Sequence, residues 1–136
     1  MGFYLYFFTF EPIPFDGHKI PAYDYSPRIE KFFDELHGLS SGCSGGKGGS
    51  MHLICPEKGF MGTSAIVGNS IPTGTGLAHA AKLNGRNQIS VIHIGDGAIE
   101  EGVFYESLNY ACLKNLPALY FCENNFYSVY SPLNVR

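Results

Sequence analysis

Residues 88–98 read Gln-Ile-Ser-Val-Ile-His-Ile-Gly-Asp-Gly-Ala, an apolar run that ends in an aspartate between two glycines. A short apolar run bounded by turn residues is typical of a buried strand, which is predicted here at residues 88–95. Residues 101–114 follow with apolar side chains at helical spacing, and residues 117–123 form a second apolar run. A strand, a helix and a strand with short connections make a βαβ unit, whose two strands run parallel. The sequence therefore predicts an α/β fold with a parallel sheet and flanking helices.

Two more helices are predicted upstream of this unit. Residues 28–37 carry apolar side chains at i, i+3, i+4 and i+7, and residues 72–84 are rich in small residues that allow close packing. The glycine-rich stretch of residues 38–62 is predicted as a loop. Residues 1–27 contain four prolines and many aromatic side chains without a clear period, which leaves an edge strand or a partner-binding surface as interpretations.

Composition excludes several classes of protein. A chain of 136 residues suits one compact domain, and 45% hydrophobic with 15% charged residues is not the composition of a disordered chain. The net charge of -3 argues against nucleic-acid binding. The apolar start lacks the features of a secretory signal and is too short to span a bilayer. We therefore expect a soluble, cytoplasmic protein with reduced cysteines and with no nucleic-acid or membrane partner.

Polar residues follow both strands of the βαβ unit at the point where each strand ends. Residues 95–98 read Gly-Asp-Gly-Ala, and residues 123–127 read Glu-Asn-Asn-Phe-Tyr. Parallel strands place these ends at one edge of the sheet, where ligands of open α/β sheets bind. Asp96 and Asn125 are then within reach of one ion, and their oxygens suit Mg²⁺ that holds a phosphate. Gly97 allows the backbone to approach a diphosphate at the start of the following helix.

Two other glycine-rich stretches do not match phosphate-binding patterns. Residues 74–79 lack the third glycine of G-x-G-x-x-G, and residues 42–48 do not fit G-x-x-x-x-G-K-[ST]. Lys47, in the second stretch, is interpreted either as a phosphate contact or as a solvated loop residue.

The pair of motifs resembles the thiamine-diphosphate-binding motif. Four blocks in the same order narrow the resemblance, and they lie at residues 46–52, 66–68, 95–106 and 116–127. Together they resemble the alpha subunit of the decarboxylating component of 2-oxo-acid dehydrogenase complexes, of the pyruvate and acetoin dehydrogenase type. The resemblance implies a thiamine-diphosphate-binding fold. It also implies an oxidoreductase that decarboxylates a 2-oxo acid such as pyruvate and transfers the acyl group to lipoyl.

The resemblance implies cofactors and the residues that hold them. Thiamine diphosphate and magnesium are the cofactors of the family. Asp96 and Asn125 would ligate magnesium through their side chains, and Tyr127 would do so through its backbone carbonyl. Gly97 and Ala98 would meet the diphosphate through their backbone N–H groups.

Further residues are implied at the opposite end of the cofactor. Ala65 and Val67 would contact the aminopyrimidine ring through their backbones. His52 would lie near the cofactor as a catalytic residue. In the family, the glutamate that hydrogen-bonds this ring belongs to the beta subunit, so none of the glutamates of this chain takes that role.

The resemblance implies partners and a longer protein. A beta-type subunit would complete a heterotetramer, and a lipoyl-bearing acyltransferase and a small 2-oxo acid would be the other partners. Family alpha subunits have an N-terminal helical region and an active-site loop that this chain does not show. Residues 38–136 are therefore interpreted as a cofactor-binding core incomplete at its C-terminus, and residues 1–37 as an irregular segment with one short helix. A truncated, non-catalytic remnant and another transketolase-like thiamine enzyme are the alternatives.

Overall fold

The computed structural model describes the backbone of residues 5–10 and 26–28, and residues 29–136 in full. Its strands and helices are, in chain order, β1 (Leu5–Phe10), α1 (Ser26–Leu36), β2 (Phe60–Ser64), α2 (Ser70–Leu83), β3 (Ile89–Gly95), α3 (Gly102–Lys114), β4 (Ala118–Glu123), β5 (Tyr127–Ser128) and β6 (Ser131–Pro132). Short 3₁₀ helices lie at Gly49–Met51, Pro56–Lys58, Asp96–Glu100 and Leu133–Val135. The predicted α/β fold, with helices that flank a sheet, is confirmed.

The sheet has the strand order β2-β1-β3-β4. β3 and β4 form the parallel pair expected of a βαβ unit, with Ser90 opposite Ala118 and Gly95 opposite Glu123. β1 runs antiparallel to both β2 and β3, so the sheet as a whole is mixed. Since β2 and β3 both run opposite to β1, they point in the same direction. The C-terminal ends of β2, β3 and β4 therefore lie at one side of the sheet, which we call the carboxyl edge.

Strands β1 and β2 of the main sheet differ from the sequence prediction. β1 falls in the segment interpreted as irregular, and it is an inner strand rather than an edge strand. Its sequence, Leu-Tyr-Phe-Phe-Thr-Phe, has no regular alternation of apolar and polar residues by which periodicity could identify a strand. β2 begins at Phe60, inside the predicted loop, and Gly62 weakens its strand signal. Residues 1–4 and 11–25 lie outside the described residues, and the division of the chain at residue 38 stays a prediction.

A small core joins the sheet to α2. Ile71, Ile92, Ile94 and Ala98 form it, each with at most 2% of its surface exposed. Ile94 and Ala98 lie on either side of Asp96 in the chain, so the turn that carries Asp96 rests directly on the core. Packing of apolar side chains thus fixes the position of the carboxyl edge.

Gly74 lies on the face of α2 that packs against β3, and its missing side chain is a packing requirement. A Cβ at this position would lie 2.5 Å from Ile92 Cγ1. Gly74→Ala is expected to lower the free energy of unfolding by about 1–3 kcal/mol, because extra atoms in a packed core force strain. Urea denaturation followed by circular dichroism measures the change.

Gly76 supplies the matched control on the same helix. It is exposed, and a Cβ there would meet nothing within 4 Å. Gly76→Ala is expected to raise stability by up to about 1 kcal/mol, because alanine is the better helix former. Equal effects of the two substitutions would contradict the packing argument.

Candidate functional site

Asp96 is the buried carboxylate of the carboxyl edge. Only 6% of its side chain is exposed, and Oδ2 pairs with Nη2 of Arg136, whose side chain is equally buried. Nη1 of Arg136 also donates to Glu100 Oε1 at 2.9 Å. The hydrogen bond from Arg136 outweighs the opposing effect of burial and holds the pKa of the Asp96 carboxyl below its ordinary value. The carboxylate is therefore ionised at neutral pH and already faces a cation.

Asn125 meets Asp96 from the end of the neighbouring strand. Its backbone N–H donates to the Asp96 carboxylate, which also lowers the pKa of that group. Its side-chain Oδ1 accepts the Tyr127 N–H at 2.9 Å, and Asn124 Oδ1 accepts the Phe126 N–H at the same distance. An amide oxygen has a second lone pair, so the Tyr127 contact leaves Asn125 able to bind an ion. The structure thus brings Asp96 and Asn125 together, and their metal role stays a prediction.

Gly97 and Ala98 form the turn that follows Asp96. A Cβ at Gly97 would lie 2.7 Å from Ser128 Cβ, so only glycine fits between this turn and β5. Ala98 is 2% exposed and packs into the core. The turn is therefore held from both sides, and it contributes backbone groups rather than side chains to the carboxyl edge.

Residues 65–67 follow β2 at the same edge, and all three are exposed. Ser64 Oγ accepts the Ile66 N–H at 3.1 Å and Asn69 Nδ2 at 3.2 Å, which shapes the turn. A Cβ at Gly68 would lie 3.4 Å from Glu101 Cγ, so the turn contacts the start of α3. The segment that contains Ala65 and Val67 therefore neighbours the segment that contains Asp96.

His52 is exposed, and its backbone is tied to this edge. Leu53 N–H donates to Thr63 Oγ1 at 2.9 Å, and that hydroxyl donates to Met51 O at 2.8 Å. His52 O accepts the Ser44 hydroxyl at 2.9 Å. Since Thr63 immediately precedes the last residue of β2, His52 lies at the same edge as the turn at 65–67.

Glu35 is a residue of this region that the sequence analysis missed. It is 1% exposed and lies in the last turn of α1. Its Oε2 accepts the N–H groups of Ser44 at 2.7 Å and Gly46 at 2.9 Å. Its Oε1 accepts those of Gly48 at 2.6 Å and Gly49 at 3.1 Å. Burial acts to raise the pKa of the Glu35 carboxyl, but the four N–H donors outweigh it and hold that pKa below its ordinary value.

One pattern in the sequence could have indicated that Glu35 has a role in this region. A helix that carries an acid in its last turn is followed directly by a loop of many glycines, whose N–H groups are free to converge on an anion. Lys47, interpreted as a phosphate contact or a solvated residue, is exposed.

The described residues contain neither a cluster of metal-binding side chains nor a helix able to span a membrane. In residues 29–136, no three or more His, Cys, Asp or Glu side chains are grouped so as to hold a metal ion. The predicted magnesium ligands include only one such side chain, so that ligand set stays a prediction. Within the described part of the chain, no helix combines the length and the apolar character needed to cross a membrane. The four cysteines are free thiols.

The sequence profile of the dehydrogenase E1 component family matches residues 18–133. The pyruvate dehydrogenase E1 component subunit alpha of Rickettsia bellii is 52% identical over 95 residues, which are 70% of this chain and 29% of that protein. The Rhizobium meliloti protein of the same name is 47% identical over 95 residues, 70% of this chain and 27% of the relative. The mitochondrial alpha-1 subunit of Arabidopsis thaliana is 44% identical over 101 residues, 74% and 26% respectively. The chain thus spans less than a third of these relatives.

Proposed function

Because the chain belongs to the dehydrogenase E1 component family, we propose that it binds thiamine diphosphate and Mg²⁺ at the carboxyl edge for the oxidative decarboxylation of a 2-oxo acid such as pyruvate. The printed names of its relatives, pyruvate dehydrogenase E1 component subunit alpha, support this substrate class. The observation that carries the proposal is that the ends of β3 and β4 bring Asn125 to the buried, ionised carboxylate of Asp96, which faces a cation.

The residues of the edge fit a magnesium ion. The Arg136 guanidinium stands against Asp96 as a cation would, and it shows that this buried carboxylate has room for a positive charge. The second lone pair of Asn125 Oδ1 and the backbone carbonyl of Tyr127 would add two more hard oxygen ligands. Carboxylate, amide and carbonyl oxygens are the donors that Mg²⁺ prefers, usually together with phosphate oxygens.

The backbone near Asp96 suits a diphosphate. Gly97 and Ala98 lie in the short 3₁₀ helix that follows β3, and their backbone N–H groups would donate to the diphosphate, as N–H groups at the start of a helix do. Ala65 and Val67, at the neighbouring strand end, would hold the aminopyrimidine ring through their backbones. When bound, thiamine diphosphate supplies the electron sink that decarboxylation of a 2-oxo acid requires. The exposed His52 ring would exchange a proton with the substrate through a ring nitrogen.

We further propose that the chain assembles with a beta-type subunit into a heterotetramer, and that a lipoyl-bearing acyltransferase accepts the acyl group. The word "subunit" in the names of the relatives supports an assembly of several chains. This chain also exposes large apolar side chains on the edge strand β4 and in the segment that follows it, which a second chain would cover, namely Leu119, Phe121, Phe126, Tyr127 and Tyr130. A cytoplasmic location remains a prediction.

Titration calorimetry tests the proposal. Thiamine diphosphate is titrated into the chain with Mg²⁺, without Mg²⁺, and with and without a beta-type partner. We expect binding that requires Mg²⁺ and that strengthens with the partner. A folded chain that binds the cofactor under none of these conditions would contradict the proposal and favour a non-catalytic remnant.

Arg136→Gln tests whether the Arg136 guanidinium competes with Mg²⁺ for the Asp96 carboxylate. Mg²⁺ has to displace the Arg136 guanidinium from Asp96, so its removal is expected to strengthen Mg²⁺ binding by about tenfold, the scale of one hydrogen bond to a charged group. Isothermal calorimetry with Mg²⁺ and thiamine diphosphate measures the change. Arg86→Gln, at an exposed position, is the control for the lost charge. Weaker binding by Arg136→Gln alone would mean that Arg136 holds the ligand rather than competing with the ion.

A further inference from the structure

We infer that Glu35 is a positioning residue, whose carboxylate fills the backbone cradle of residues 44–49 and thereby fixes the position of His52. The inference rests on the proposed function only for the catalytic role of His52. The cradle itself rests on four hydrogen bonds to one buried carboxylate.

The cradle is an anion site whose anion belongs to the chain. Backbone N–H groups that converge from a glycine-rich loop form a concavity that binds phosphates and other anions. Here both carboxylate oxygens of Glu35 are engaged, each by two N–H groups, and the side chain is almost completely buried. The glycine-rich loop is therefore committed to an internal partner. This agrees with its failure to match a phosphate-binding pattern, although it contains Lys47.

Glycines in the loop allow its backbone to approach Glu35 closely. A Cβ at Gly42 would lie 2.7 Å from Glu35 Cα, closer than any side chain tolerates. Gly46 has a φ of +73°, and a Cβ there would lie 2.5 Å from the backbone carbon of Gly38. Cys43 N–H donates to Lys31 O at 3.2 Å, which holds the start of the loop against α1. Glycines thus serve close approach and turning in the same loop.

The cradle is in direct contact with the His52 backbone. Ser44 donates its N–H to Glu35 and its hydroxyl to His52 O. A Cβ at Gly48 would lie 2.9 Å from His52 Cβ, so the loop and this residue lie against each other. On its other side, the His52 segment is bound to Thr63 of β2. His52 is therefore held between the cradle and the sheet, and a change in the cradle reaches it.

Hydrogen exchange on the full chain tests the cradle without cofactor. Glu35→Gln keeps the shape of the side chain but replaces one acceptor oxygen with a donor. We expect exchange at the four cradle amides, those of Ser44, Gly46, Gly48 and Gly49, to accelerate by at least about tenfold. Amides of α2 and β3 should keep their protection. Glu30→Gln, an exposed residue of the same helix, controls for the lost charge and should change neither set.

Histidine ring signals test the positioning. In ¹H–¹⁵N spectra of the imidazoles, Glu35→Gln is expected to shift the His52 signals, and Glu30→Gln is not. Unchanged protection of the four amides in a folded Glu35→Gln variant would overturn the cradle. Loss of protection with unmoved His52 signals would overturn the positioning of His52. Neither measurement includes thiamine diphosphate, so failure of the proposed function leaves a distinct result.

Glu35→Ala adds a rescue experiment. It leaves the four N–H groups around an empty space, which a small carboxylate can enter. Added formate is expected to restore amide protection and the His52 signals, whereas chloride at equal ionic strength is not. Equal effects of the two salts would overturn a specific anion cradle. Should Glu35→Ala fail to fold, the Glu35→Gln measurements decide the inference alone.

Discussion

Asp96→Ala is expected to weaken Mg²⁺-dependent binding of thiamine diphosphate by at least about 100-fold. Loss of a residue that merely supports a metal ligand costs 10–100-fold in affinity, so loss of a residue that binds the ion directly, the role proposed for Asp96, should cost at least about the upper value. The substitution also leaves the buried Arg136 guanidinium without its nearest counter-charge. Calorimetry with and without Mg²⁺ measures the loss.

A second aspartate supplies a control for the loss of a carboxylate away from the site. Asp34 lies on α1, away from the carboxyl edge, and accepts a hydrogen bond from the Ser41 hydroxyl, so Asp34→Ala should bind as the parent chain does. Circular dichroism shows whether each variant is folded. If a folded Asp96→Ala variant binds the cofactor as well as the parent chain, the metal role of Asp96 is wrong. If it loses only the dependence on Mg²⁺, the ion and the diphosphate are held separately.

Ile92→Ala is expected to lower the free energy of unfolding by about 2–5 kcal/mol, the largest stability change among the variants considered. Ile92 is completely buried at the centre of β3, and it packs against both α2 and the rest of the core. Truncation of such a side chain removes apolar burial and leaves a cavity. Ile89→Ala is the matched control, because Ile89 lies on the same strand but is 47% exposed. Urea denaturation compares the two.

Ile92 and Gly74 also form a test of their own contact. The space that Ile92→Ala opens is the space that the new Cβ of Gly74→Ala would enter. The double variant is therefore expected to lose less stability than the two single losses added together. Strict additivity would mean that the helix and the strand do not pack as described.

The fold could be predicted wherever periodicity is regular. The strands at Ile89–Gly95 and Ala118–Glu123 and the helix at Gly102–Lys114 lie within one residue of their predicted bounds. These segments can be recognised in the sequence because burial of one face, or of both faces, determines the spacing of their apolar residues. Strands β1 and β2 carry no such signal. Their pairing depends on each other and on β3, and those contacts join parts of the chain that no local pattern connects.

The residues of the candidate site also include some that sequence patterns predict and some that they miss. Asp96 and Asn125 were found because each follows a strand, and a rule of topology places the ends of parallel strands together. Arg136 lies 40 residues from Asp96 in the chain, and no spacing rule links them. Glu35 looks like an ordinary helix surface residue until the loop folds over it. Residues whose partners come from irregular backbone are the ones that sequence patterns miss.

The inner position of β1 has a consequence for the order of folding. Leu5 pairs with Ser64 and Phe7 with Ile92, so β1 is synthesised well before the strands with which it pairs. Because β2 reaches β3 only through β1, the sheet closes late, after a large loss of chain entropy. We therefore expect slow folding relative to helical domains of this size. Until that step is complete, the strand ends from which the carboxyl edge is built are not aligned.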